Sequence, residues 1–145
     1  MAGVILVVDD EILSRLCTQR ILESFGFQVR SVEDGRLAVE AEADGDYVAI
    51  VMDCQMPRLD GFQATAAIRR RQERSRTQRT PIIGLSARAM DGDRETALAK
   101  GMDEYITKPV RVPKLQAALE QVGVGTHAGA VRALEVGNAP VRRFG

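Results

Sequence analysis

A few residues in this chain could together do chemistry on a charged group. Asp9 and Asp10 stand side by side, Asp53 lies far along the chain, Ser86 offers a hydroxyl, and Lys108 is followed directly by Pro109. Three carboxylates brought together repel, which raises the proton affinity of some of them unless a cation intervenes. Oxygen ligands without histidine suit a hard cation such as Mg2+, which keeps several waters and takes one or two carboxylates plus phosphate oxygens. Lys108 would neutralise a phosphoryl oxygen, and Ser86 with the small Ala87 would offer a hydroxyl and an open backbone N–H. Acids, metal, lysine and hydroxyl are what phosphoryl transfer needs, because that chemistry is mostly positioning and charge neutralisation. A carboxylate can itself take the group as an aspartyl-phosphate.

Such residues react together only if the fold gathers them. Apolar runs at Val4 to Val8, Tyr47 to Met52 and Ile82 to Leu85 predict buried strands, Phe27 to Val32 a half-alternating edge strand, and Glu104 to Thr107 a fifth short strand. Between them, Leu13, Cys17, Ile21 and Phe25 repeat every four residues, ended by Gly26. A second helix opens at Asp34 and closes near Gly45. A third runs from about Gly61 to Arg71 or beyond, and a fourth from about Asp91 to Lys100. The fifth has Pro113 in its first turn and Leu115, Leu119 and Val122 on one face. Five β-α alternations predict an α/β fold with a doubly wound parallel sheet covered on both faces. Ligands of such sheets sit at the carboxyl ends of the strands. Asp9, Asp10, Asp53, Ser86 and Lys108 all fall there.

The segments VVDDE, VMDCQMPRLDG, GLSA and YITKP, in this order at these strand ends, resemble the receiver domain of two-component response regulators. The resemblance covers about residues 3–122 and implies a flavodoxin-like (βα)5 sheet of strand order 2-1-3-4-5. It implies that Asp53 accepts a phosphoryl group from a partner phosphohistidine. Asp10 and Asp53 would ligate Mg2+, Asp9 would act through water, and the Gln55 backbone carbonyl would supply a further ligand. Lys108 would pair with the phosphoryl group, Ser86 would move to bond it, Tyr105 would rotate inward in step, and the bond to Pro109 would be cis. A histidine kinase or histidine phosphotransfer protein would dock near helix 1, at Leu13, Ser14 and Cys17, and the loop after Lys108. The face of helix 4, strand 5 and helix 5 would carry the output to a downstream protein. The wording of the segments is most like receivers associated with hybrid histidine kinases. Ser86 replaces the more frequent threonine, and Gly84 stands where a larger residue is usual, which predicts a looser fourth strand. Gln55 and Arg88 are expected to shield the phosphoryl group from water.

Composition narrows the classes. The 145 residues carry 20 Lys+Arg against 20 Asp+Glu, so an overall basic coat for nucleic acid is excluded. The balance hides a partition: residues 69–79 hold six arginines and one glutamate, which reads as the solvated end of helix 3 and its loop, without interleaved aromatics for base stacking. No apolar run approaches a membrane span or a signal peptide, so the expectation is a cytoplasmic protein. Cys17 and Cys54 read as buried structural thiols, and the single His127 lies in a Gly- and Ala-rich segment, 123–145, expected to be a flexible tail or linker with a short helix around Ala130 to Val136. That segment is too short for a DNA-binding domain.

Two other classes share this winding. An aspartyl-phosphate hydrolase usually places a second acid two residues after its nucleophile, where Gln55 stands here. A flavin or nucleotide module needs a Gly-rich phosphate loop after strand 1. Asp9, Asp10 and Glu11 occupy that place and would repel phosphate. A signalling receiver, rather than an enzyme acting on external substrates, is the expected function.

Overall fold

The computed structural model describes residues 3–88 and 90–126. The five apolar runs form strands β1 (Val4–Val8), β2 (Gln28–Val32), β3 (Ala49–Asp53), β4 (Ile82–Ser86) and β5 (Glu104–Thr107). They alternate with helices α1 (Ile12–Ser24), α2 (Gly35–Asp44), α3 (Gly61–Ser75), α4 (Asp93–Ala99) and α5 (Val112–Gln121). All four strand pairings are parallel, in the order β2-β1-β3-β4-β5. No described helix is long and apolar enough to cross a membrane. His127 and the segment Ala130 to Val136 lie outside the described residues.

Side chains alternate across the sheet because strand residues point to opposite faces. Ile5, Val7, Val51, Ile83 and Leu85 pack on one side with Ile21, Leu22 and Phe25 of α1 and Leu115 and Leu119 of α5. Leu6, Val8, Ile50, Met52 and Ile82 pack on the other with Ala38, Ala64, Ile68 and Ala97 of α2, α3 and α4. The central strands β3 and β4 are buried throughout, and β2 is the half-exposed edge that its weak pattern predicted. Local signals set the helix ends. Asp34 caps α2 by accepting from the Leu37 N–H at 2.8 Å. Asp60 and Gln63 form a reciprocal capping box at α3.

Three expectations need correction. On α1, Ile21 and Phe25 are buried, but Leu13 and Cys17 are exposed. A four-residue spacing drifts about 40° per step on a helix of ~3.6 residues per turn, so Leu13 sits about 120° round from Phe25. Thr18 and Leu22 complete the buried face instead. Second, α4 is shorter than expected, since Gly92 precedes it in the left-handed region with φ 86°. Third, β4 is not loose at Gly84. A Cβ there would lie 2.5 Å from Met102 Sδ and 3.2 Å from Cys54 Sγ, so those two sulfurs fill the space a larger residue would take.

The arginine-rich end of α3 is half structural. Arg69 donates to Asp103 at 2.7 Å and to the Thr80 carbonyl at 2.7 Å. Arg79 reaches the same Asp103 carboxylate at 2.7 Å. Arg71 forks onto the buried Glu42 at 2.7 and 2.6 Å, and Gln72 adds a third bond at 3.0 Å. These bonds clamp α3 to α2 and to the segments leading into β4 and β5. Arg70, Arg74 and Arg76 are exposed, as expected of a solvated helix end.

Candidate functional site

The parallel register brings the strand ends together. Val8 is level with Met52, Asp53 with Leu85, and Ser86 with Thr107. Asp9 therefore leaves β1 beside Asp53, while Ser86 and Lys108 leave the strands beyond it. The Lys108 N–H donates to the Ser86 carbonyl at 2.7 Å, which fixes the lysine's starting point. The Lys108–Pro109 peptide bond is cis, as the resemblance implied. Gly61 opens α3 directly against the Asp53 carbonyl, and a Cβ there would collide with it.

The three carboxylates differ sharply in surroundings. Asp9 is fully buried and its oxygens are taken: Oδ1 accepts from the Glu11 N–H at 3.0 Å, and Oδ2 from Ser14 Oγ at 2.6 Å. Asp53 is also buried; its Oδ1 accepts from the Gln55 N–H at 3.1 Å. Asp10 is exposed and has no hydrogen-bond or ion-pair partner among the described residues. One oxygen from each of the three lies within 4.8 Å of the others. Oxygens at that spacing can converge on a small hard cation, and the free Asp10 carboxylate can do so without breaking a bond.

Lys108 is the positive counterpart. Its Nζ stands 3.3 Å from Asp53 Oδ2, 3.3 Å from Asp9 and 2.9 Å from Glu11 Oε1. Burial pulls the ammonium's pKa down, but the Glu11 bond and the Asp53 and Asp9 charges carry it above its ordinary value. For Asp53, burial pushes the pKa from its ordinary 3.8 up to about 7. Lys108 opposes that rise and Asp9 adds to it. Cys54, beside it, is buried and pushed up to about 12 by burial and the Asp53 charge, which leaves it a protonated packing group.

Ser86 is buried at the end of β4. Its Oγ accepts from the Arg88 N–H at 3.0 Å and donates to Gln55 Oε1 at 3.2 Å. Tyr105 is half-buried, and its hydroxyl donates to the Arg88 carbonyl at 3.4 Å. The sequence-predicted residues thus fall into two linked groups. Asp9, Asp10, Asp53 and Lys108 share one charged cluster, while Ser86 and Tyr105 meet through Arg88. Three contacts went unforeseen: Glu11 on Lys108, Ser14 on Asp9, and the Gln55 side chain on Ser86. Glu11 lies in the VVDDE run, so its nearness to the site was readable, but not its partner.

Residues 5–120 match the family described as response regulator receiver domain. The sensor protein GacS of Pseudomonas syringae pv. syringae is 39% identical over 121 residues, covering 83% of this chain and 13% of GacS. The transcriptional regulatory protein TcrA of Mycobacterium tuberculosis is 41% identical over 115 residues, covering 79% of this chain and 44% of TcrA. The chain thus spans less than half the length of either relative. Among solved structures, the receiver domain of the sensor histidine kinase PA1611 from Pseudomonas aeruginosa PAO1, with a magnesium ion coordinated in its active-site cleft, aligns with TM-score 0.73 at 40% identity. That alignment covers 85% of this chain and 99% of the PA1611 receiver. The receiver of Ssk1 from Saccharomyces cerevisiae, solved with the histidine phosphotransfer protein Ypd1, aligns with TM-score 0.75 at 26% identity over 81% of this chain and 87% of that one. Strand order, strand-end acids and a family match over most of the chain agree: this chain belongs to the response regulator receiver domain family, the receivers of two-component signal transduction.

Proposed function

We propose that Asp53 is the phosphoacceptor, working with Mg2+ and Lys108. The observation that carries this is the arrangement around Asp53: a buried carboxylate 3.3 Å from the Lys108 ammonium, with the carboxylates of Asp9 and Asp10 close by. The residues present fit a magnesium ion, as oxygen donors with one unengaged carboxylate. Asp10 and Asp53 would hold it directly, the Gln55 backbone carbonyl would add an oxygen, and Asp9, its oxygens already bonded, would act through water. Bound there, the ion would neutralise charge on the phosphoryl oxygens. The ionised Asp53 oxygen attacks phosphorus, the bond from phosphorus to the donor's imidazole nitrogen breaks, and that nitrogen keeps the electron pair. Lys108 holds the transferred group by its charge. Ser86 then turns to bond it, and Tyr105 follows into the space opened near Arg88. Later hydrolysis by water returns Asp53 and inorganic phosphate, so the chain catalyses only its own modification and its loss.

The donor docks on α1. Ile12 and Leu13 are 63% and 81% exposed, on the same helix as Cys17, whose Sγ lies 3.9 Å from the Val110 carbonyl in the loop just past Pro109. An apolar patch next to the acceptor suits a helical histidine-bearing partner, and the Ssk1–Ypd1 complex supports that class of partner. The face of α4, β5 and α5 carries the output, with Tyr105 as its moving part. We take the receiver unit to end at residue 122, just past α5 and the family match, with 123–145 as tail or linker, and place its work in the cytoplasm. The test is intact mass after acetyl phosphate and Mg2+. Wild type should gain one phosphoryl group and Asp53→Asn none; uptake by the variant at the wild-type rate sinks the assignment.

A further inference from the structure

Gln55 touches both halves of the site. Its backbone N–H bonds the acceptor at Asp53 Oδ1, 3.1 Å away, while its side-chain Oε1 takes the hydroxyl proton of Ser86 at 3.2 Å. The Arg88 N–H already fills a lone pair of Ser86 Oγ at 3.0 Å, so the serine's one proton is committed to Gln55. Ser86 is buried and has no other acceptor among the described residues. The same proton is what a phosphoryl oxygen on Asp53 would require.

We propose that Gln55 is a positioning residue that latches Ser86 in the resting state and so sets how readily the switch responds to the phosphoryl group. The proposal rests on the assignment of Asp53 as acceptor. For Ser86 to reach the phosphoryl group, the bond to Gln55 must break, and Gln55, which is exposed, turns to water. A neutral hydrogen bond of this kind is worth about 1 kcal/mol net, so losing the latch should favour the engaged state about fivefold. This differs from a shielding role, in which Gln55 and Arg88 keep water from the phosphoryl group. Shielding would not depend on the Ser86 hydroxyl; a latch would.

The test uses beryllium trifluoride with Mg2+ as a tetrahedral mimic of the phosphoryl group, on the whole chain. Gln55→Met keeps length and removes the acceptor; Gln55→Asn keeps the amide but falls short of Ser86. Both should bind the mimic about fivefold more tightly than wild type. In the free protein, the Arg88 amide and Ser86 Cβ NMR signals should move toward their mimic-bound positions. In a Ser86→Ala background the Gln55 substitutions should change affinity by less than about twofold, since no hydroxyl remains to latch. Equal effects in both backgrounds, or unmoved free-state signals, overturn the latch alone. If wild type does not bind the mimic at all, the acceptor assignment falls, and the latch with it.

Discussion

Asp53→Asn should make the metal-free protein more stable, by an amount that grows with pH. The Asp53 carboxyl is buried 3.3 Å from Lys108, and burial lifts its pKa from 3.8 to about 7 in the folded chain. Between those values the folded state holds a proton that the unfolded state has released. Stability therefore falls as pH rises through that window, and the loss levels off once Asp53 ionises above about 7. At about 1.4 kcal/mol per pH unit of differential proton binding, the penalty grows by about 2–3 kcal/mol between pH 5 and pH 8. Asparagine keeps the shape and removes the titration. Urea denaturation in EDTA at several pH values reads the difference directly. The gap between variant and wild type should widen from pH 5 to pH 8, and millimolar Mg2+ should narrow it at pH 8 by binding the ionised wild type. A gap that stays flat across this range would refute the reasoning that burial of this carboxylate dominates its energetics.

The remaining predictions concern packing and reactivity. Glu42→Gln removes a buried charge that Arg71 binds at 2.7 and 2.6 Å, and should cost about 1.5–3 kcal/mol in urea denaturation; a loss under about 0.5 kcal/mol would show the clamp to be idle. Gly84→Ala places a methyl against Met102 Sδ, 2.5 Å away, and should cost about 1–3 kcal/mol, largely recovered by adding Met102→Val. Alkylation of the native protein by iodoacetamide should label the exposed Cys17 and spare Cys54, whose thiol is pushed up to about 12. Peptide mass mapping checks this, and equal labelling would show that β3 opens readily at its carboxyl end.

Glu11 shows how close a linear reading comes to a site without completing it. Its place after Asp9 and Asp10 marks the strand end, yet the ammonium it bonds lies at position 108, and only the pairing of β1 through β3 to β4 and β5 closes that distance. Leu13 and Cys17 show the converse. Their spacing with Ile21 and Phe25 is apolar and regular, but the helical drift over three turns carries them off the sheet and onto the surface. Gly84 reads as a weakness of β4 because its neighbours in space, Cys54 and Met102, come from the residue just past β3 and the turn after α4.

The sequence by itself determined the alternation of elements, the parallel sense of the strands, and the identity of the residues at the strand ends. These follow from hydrophobic periodicity, cap residues and the handedness of βαβ connections, all of which act over short stretches of chain. The tertiary structure alone decided what each of those residues meets. Among the described residues it left Asp10 without a partner while it filled the oxygens of Asp9, buried Asp53 against Lys108, and gave the Ser86 proton to Gln55. Such choices depend on distances and desolvation between segments far apart in sequence, which exist only once the sheet has brought its ends together.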